Sequence, residues 1–245
     1  MIGTTLIVGA SGATGRLLVE QLLAKGQRIK AVVRSVQRIP KTWISDENIN
    51  IIEAEISKIT TDQMAEYLKD CQSVASCLGH TLSIKGMYGK PRLLVTDAVR
   101  HICEAHKKSS PQHPIKLVLM NTAGNRNRDL DETISTGEKL VIGLLRVLVP
   151  PHLDNEKAAD YLRTAIGQDD TEVEWVTLRP DTLQNKETVT DYKVCPSPTR
   201  SAIFNAGTTS RINVAHFMAS LITDNTLWNQ WKGQMPVIYN KETGK

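Results

Sequence analysis

Near the start of the chain three glycines stand at a spacing of three, in Gly9-Ala10-Ser11-Gly12-Ala13-Thr14-Gly15. Glycine takes backbone angles closed to other residues and lets the main chain approach a ligand closely. The apolar run Leu6, Ile7 and Val8 precedes the glycines, and Leu17, Leu18, Leu22 and Leu23 follow them at helical spacing. A buried strand, a glycine turn and a helix, in that order, aim free N–H groups and the positive end of the helix at an anion. The chemistry this predicts is the cradling of a phosphate, and most simply the pyrophosphate of a dinucleotide. The alternative is a purely structural turn.

The end of the second predicted strand selects the dinucleotide. An acid there would hydrogen-bond an adenosine 2′-hydroxyl, whereas arginine receives a 2′-phosphate. The chain reads Val32-Val33-Arg34-Ser35-Val36-Gln37-Arg38, with no acid. Arg34 and Arg38, about one helical turn apart, can clamp a phosphate with charge-assisted hydrogen bonds. The expected cofactor is NADP.

These residues need a frame that gathers strand ends. Apolar runs predict strands at 6–8, 29–33, 49–54, 73–78, 115–120 and 173–178, with a last strand at 235–239. Helices are expected at 13–25, from Thr60 or Thr61 to Leu68, from Pro91 to about Lys107, and at 134–149. Two more follow, one capped by Asp154 and running to about 165, and one at 212–223. The polar stretch 184–200 has little pattern and is expected on the surface. Such alternation signals an α/β fold: a doubly wound parallel sheet, Rossmann-like, with helices on both faces. Ligands bind these sheets beyond the carboxyl ends of the strands. Gly9, Arg34, Glu55, Gly79 and Asn121-Thr122 should therefore share one edge. No repeat or linker interrupts residues 1–245, which read as a single domain. Its later loops, about 125–153 and 184–207, would cover the site.

Composition narrows the function classes. The chain has 245 residues, a formal net charge of +4 and 40% hydrophobic content. That charge is modest and scattered, which gives nucleic-acid binding no support. Residues 140–149 form the most apolar segment, too short to span a bilayer and interrupted by Arg146. Neither secretion nor membrane insertion is expected, and the compartment expected is cytoplasmic. Cys71, Cys77, Cys103 and Cys195 show no metal-ligand spacing, so neither a metal site nor a disulfide framework is expected.

The glycine motif with Arg34 resembles the atypical short-chain dehydrogenase/reductases, in particular the NmrA-like and biliverdin/flavin reductase-like NAD(P)-binding proteins. Gly79, Asn121-Thr122, Leu178-Arg179-Pro180 and the run from Thr209 to Ala215 extend the likeness over most of residues 2–220. The resemblance implies that Ser11, Ala13 and Thr14 contact the pyrophosphate and that Glu55 and Ile56 sit by the adenine. It implies that Leu78, Gly79, Asn121 and Thr122 border the ribose on the nicotinamide side, with Pro180 beside the ring. Glu55 replaces the usual aspartate of the family, and Asp181 replaces a glycine.

The reacting end is less defined. The Tyr-x-x-x-Lys pair of many short-chain enzymes, with tyrosine as acid and lysine as its partner, is missing. Tyr161, for example, is followed four residues later by Ala165. Related proteins carry a lysine near the start of this helix. Counted back from Leu162-Arg163, that position falls on Asn155, whereas the nearest lysine is Lys157. Two residues amount to roughly 200° around a helix, so Asn155 and Lys157 cannot face the same way. Both are catalytic candidates. His80 and Tyr88, in a loop that could close over a substrate, join His152 and Asp181 as substrate-contact candidates.

Two functions follow. One is an NADP(H)-dependent oxidoreductase passing hydride to a small conjugated acceptor such as a flavin or quinone, where the protein mainly positions two rings. The other is an NADP(H)-binding redox sensor that regulates a partner without turnover. An exposed 140–149 helix would serve a homodimer or protein partner; otherwise that segment packs onto the sheet.

Overall fold

The computed structural model describes residues 3–80, 83, 86 and 88–241. At its centre lies an eight-stranded sheet in the order β3-β2-β1-β4-β5-β6-β10-β8. These strands are β1 (Thr4–Val8), β2 (Arg28–Val33), β3 (Ile49–Glu53), β4 (Ser73–Ser76), β5 (Ile115–Met120), β6 (Val173–Pro180), β8 (Tyr192–Cys195) and β10 (Val237–Asn240). The pairings are parallel throughout, except that β8 runs antiparallel to β10. The chain order reverses between β1 and β4, which opens a crevice at the carboxyl edge. Leu6, Ile7 and Val8 are wholly buried, as a central strand covered on both faces requires.

Helices cover both faces. On one side α1 (Ala13–Ala24) packs Leu18, Val19 and Leu22 against a core shared with Val214, Phe217 and Met218 of α7 (Arg211–Thr223). On the other, α3 (Thr61–Leu68), α4 (Leu94–Lys108) and α6 (Pro150–Tyr161) enclose Met64, Val99, Ile102, Ala158 and Leu162. Short α2 (Lys41–Ile44) follows β2, α5 (Thr136–Leu148) precedes α6, and α8 (Asn225–Trp231) follows α7. Strands β7 (Thr182–Gln184) and β9 (Thr208–Ser210) form a separate parallel pair. The doubly wound, Rossmann-like class expected from the strand–helix alternation is the one observed.

Several boundaries differ from expectation for identifiable reasons. The helix expected from Pro91 begins at Leu94, because its first N–H groups are capped from a distant segment. The Asp154 carboxylate accepts from Val95 N and Thr96 N, each at 2.9 Å. Asp154 therefore does not cap its own helix; it sits inside α6 and caps α4. The helix α5 ends at Leu148, just before Pro150, which opens α6 in its first turn, where its missing N–H costs nothing. The helix α5 starts at Thr136 under a Ser135/Glu138 capping box. The unpatterned stretch 184–200 contributes the edge strand β8, whose ladder hydrogen bonds leave no apolar signature of their own. Among the described residues, no helix is long and apolar enough to cross a membrane.

Candidate functional site

The glycine turn is built by close approach. Val8 pairs with Ser76 of β4, so the turn that follows passes against the end of that strand. Gly9 has φ +77°, and a Cβ there would lie 2.6 Å from the Cys77 carbonyl oxygen. A Cβ on Gly15 would lie 2.2 Å from the Gly9 oxygen. Neither position can carry a side chain while α1 starts this close to β1. Gly12 donates its N–H to Gly9 O at 3.0 Å and stands just before the helix. The first hydrogen bond of the helix runs from Arg16 N to Gly12 O at 2.9 Å. The N–H groups ahead of it, on Ala13, Thr14 and Gly15, thus face beyond the helix end. Gly12 and Ala13 are exposed, whereas Thr14 is buried.

A cavity of about 420 Å³ opens in front of this turn. Gly9, Ser11 and Gly12 line one side, and Arg34, Arg38, Glu55 and Ile56 the far end. Leu78, Gly79 and His80 close the β4 side. Four of the five strand ends expected on one edge meet here. The fifth, Asn121-Thr122, is not among the lining residues. Arg16, which the motif did not single out, also lines the cavity. Its Nε donates to Ser11 O at 3.1 Å and its Nη2 to Arg38 O, so one guanidinium joins the glycine turn to the arginine loop. An arginine directly after the third glycine was the available signal. Glu55 does not leave a free acid at this end. Hydrogen bonds from Lys58 and Ser57 hold its carboxyl below the usual range.

His80 is nearly buried, with both ring nitrogens engaged. Nε2 lies 2.7 Å from Asp154 Oδ2, and Nδ1 lies 3.1 Å from Gly86 O. Tyr88 is about half exposed, and its hydroxyl donates to Leu148 O at 2.7 Å. Thr81, Leu82, Ile84, Lys85 and Met87 lie outside the described residues, and with them much of the loop expected to close over a substrate.

At the β5 end, Asn121 Nδ2 donates to the Asn155 carbonyl at 2.8 Å, and Asn121 Oδ1 accepts from Thr122 N. Asn155 is half-buried, whereas Lys157, two residues on, is exposed. Tyr161 is no ready acid, because burial pushes its hydroxyl up to about 12. His152 approaches Gly124, and burial lowers its imidazole below the ordinary value. Its Nε2 is buried without a hydrogen-bond partner among the described residues. Pro180 ends β6 and is buried. Asp181 is engaged within the fold: Thr182 N and Gly207 N donate to its two carboxylate oxygens at 2.8 Å each. Cys77 and Cys103 are buried thiols pushed up to about 12, too high for a nucleophile at neutral pH.

A buried ion pair organises the loops beyond β5 and β6. Arg179 is fully buried, and its Nη2 lies 2.7 Å from Glu132 Oε1. The same guanidinium donates to Met235 O, Asn125 O and Pro196 O. It thus ties β6 to three separate segments.

A parallel doubly wound sheet, a glycine turn against its central crevice and an arginine-lined cavity beside it define a nucleotide-binding protein of the Rossmann type. The chain belongs to the NAD(P)H-binding family, whose model matches residues 9–225. Over 71 residues it is 34% identical to an uncharacterized chloroplastic protein of Arabidopsis thaliana, a match covering 29% of this chain and 25% of that protein. Its fold is similar to a wide-type short-chain dehydrogenase/reductase from Veillonella parvula solved in complex with NADP. The TM-score is 0.71 at 17% identity, covering 100% of this chain and 98% of that one. It is also similar to ChuY, an anaerobillin reductase from Escherichia coli O157:H7, with TM-score 0.67, 16% identity and 99% of each chain covered.

The cavity fits a dinucleotide on the structure's own terms. Gly9 and Gly12 present main chain as the wall, and the helix end supplies donors for a diphosphate.

Proposed function

We propose that this chain is an NADP(H)-dependent oxidoreductase of the atypical short-chain type, reducing a small conjugated acceptor such as a flavin or quinone. One observation carries the reading: Arg16, Arg34 and Arg38 line the same cavity as the glycine turn, and its one carboxylate, Glu55, is held by Lys58 and Ser57. Three guanidinium groups suit the extra 2′-phosphate of NADP over the bare hydroxyl of NAD. In this reading Ser11, Ala13 and Thr14 hold the pyrophosphate, Glu55 and Ile56 sit by the adenine, and Leu78 and Gly79 border the far ribose, with Asn121 and Thr122 beyond the cavity's lining. The bound nicotinamide supplies hydride. The half-buried Asn155 can orient a ring or ribose by hydrogen bonding, and no side chain need act as acid where protons come from water. The reductase named among the structural relatives agrees with this reading, although fold alone does not assign an activity.

The test is a titration with NADPH and NADH by cofactor fluorescence, followed by flavin and quinone acceptors. NADPH should bind at least about ten-fold tighter, as expected for charge-assisted bonds to a phosphate, and should be oxidised when an acceptor is added. Arg34→Glu should reverse the preference. Equal affinity for the two cofactors would refute the NADP assignment.

A second reading, a redox sensor without turnover, draws on the exposed stripe Leu140, Leu144 and Leu148 along α5, a surface suited to a partner or a second copy. Tight NADPH binding with no oxidation by any acceptor would favour it.

A further inference from the structure

A second cavity, of about 590 Å³, lies past the end of β5. Its wall begins at Ala123 and Gly124, directly after Asn121-Thr122, and is completed by residues from 126–142 and 196–203. Both later loops therefore meet in one place. Because β5 neighbours β4, this cavity and the glycine-turn cavity open along the same carboxyl edge. Leu130, Ile134, Ile142 and Ile203 make much of the lining apolar, and the volume is in the range of small-molecule sites.

Within that lining stands Arg126, with a buried Nε that has no hydrogen-bond partner among the described residues. The cavity holds three carboxylates, and two are committed elsewhere. Glu132 is paired with Arg179 and also accepts from Asn127 N at 2.8 Å. Glu138 accepts from Ser135 N at 2.8 Å and from the Ser201 hydroxyl. The third, Asp131, is solvent-exposed, and no ion pair joins it to Arg126 within 4 Å. A guanidinium N–H that is buried and unmatched is costly, and its best partner is an anion.

We propose that this cavity is the acceptor site and that Arg126 binds an anionic group, carboxylate or phosphate, on a flat and otherwise apolar ligand. The proposal rests on the oxidoreductase reading only for the word acceptor; the anion site stands on the cavity and Arg126.

The experiment measures binding without turnover. The protein is saturated with NADP⁺, which fills the first cavity and supplies no hydride. It is then titrated with two matched pairs, FMN against riboflavin and naphthalene-2-carboxylate against naphthalene-2-carboxamide. The anionic member of at least one pair should bind about ten-fold tighter, the effect of one charged hydrogen bond, and the pair showing it tells phosphate from carboxylate. Arg126→Gln should abolish the difference and Arg126→Lys should retain part of it, with NADP⁺ affinity unchanged in both. Equal binding within both pairs, or a preference that survives Arg126→Gln, would overturn the proposal. Anion preference without NADPH oxidation by any acceptor would leave the anion site standing and remove only the oxidoreductase reading.

Discussion

Asp154 and His80, 74 positions apart in sequence, meet at 2.7 Å between Oδ2 and Nε2 with both side chains almost wholly out of solvent. The same carboxylate accepts from Val95 N, Thr96 N and the Thr96 hydroxyl. One acid thus caps α4, anchors α6 to it, and holds the residue that ends the β4 side of the cavity. His80 presents its other nitrogen to Gly86 O at 3.1 Å, so both of its ring nitrogens are engaged inside the fold.

Asp154→Ala should destabilise the protein by about 2–4 kcal/mol, since it removes a helix cap and leaves buried donors unmatched. Urea denaturation measures this. His80→Ala should cost less, read by the same denaturation. Equal stability of Asp154→Ala and the parent would refute the role given to the carboxylate.

Arg179 and Glu132 form the second buried hub. Arg179→Met alone should destabilise by about 3–5 kcal/mol, because Glu132 is left as a buried unpaired charge. Adding Glu132→Gln should recover a large part of that loss. A double-mutant cycle by chemical denaturation reads the coupling directly, and additive losses would count against the pair.

Gly15→Ala sets a Cβ 2.2 Å from Gly9 O, so α1 must move away from β1. Loss of NADPH binding together with a lowered melting temperature is expected. Gly12→Ala is a milder case, with its Cβ at 3.2 Å from the same oxygen. It should keep the fold while weakening cofactor binding by about ten-fold, as expected where main chain must approach a phosphate. Unchanged affinity in both variants would remove the turn from the binding site.

Stability should also fall in mild acid. Burial holds the imidazoles of His106, His152 and His216 below their ordinary value of 6.5. The unfolded chain takes up these protons near pH 6.5, whereas the folded chain resists them to lower pH. Their contribution is complete above pH 6.5 and is lost as pH falls through the folded values. Urea midpoints at pH 7.5, 6.5 and 5.5 should decline in that order, and His106→Gln should flatten the slope. A flat profile in the parent protein would contradict the assignment.

The glycine turn, the strand ends and the arginine loop were legible because each depends on local chemistry. A turn that needs positive φ needs glycine, a strand covered on both faces needs an unbroken apolar run, and a strand end in a parallel sheet faces the ligand edge by topology. The α/β class follows from the same periodicities. Asp154 shows where such reasoning stops. In sequence it resembles a cap for the helix that contains it, and nothing local reveals that it serves α4 from across the fold. Arg16 stands beside the motif in sequence, but that it joins the glycine turn to the arginine loop shows only in the fold, since one of its contacts reaches Arg38, twenty-two positions away.

The residues alone therefore determined the sheet, the glycine cradle and the cluster of basic side chains at the second strand's end. The tertiary structure decided which polar groups are spent inside the fold and which face a cavity. Asp181, Glu132 and Asp154 are consumed by donors that include groups brought from distant parts of the chain, while the buried Nε of Arg126 is left without a hydrogen-bond partner among the described residues. Hydrogen bonding between distant segments leaves no periodic trace in sequence, so that division of labour appears only when the chain is folded.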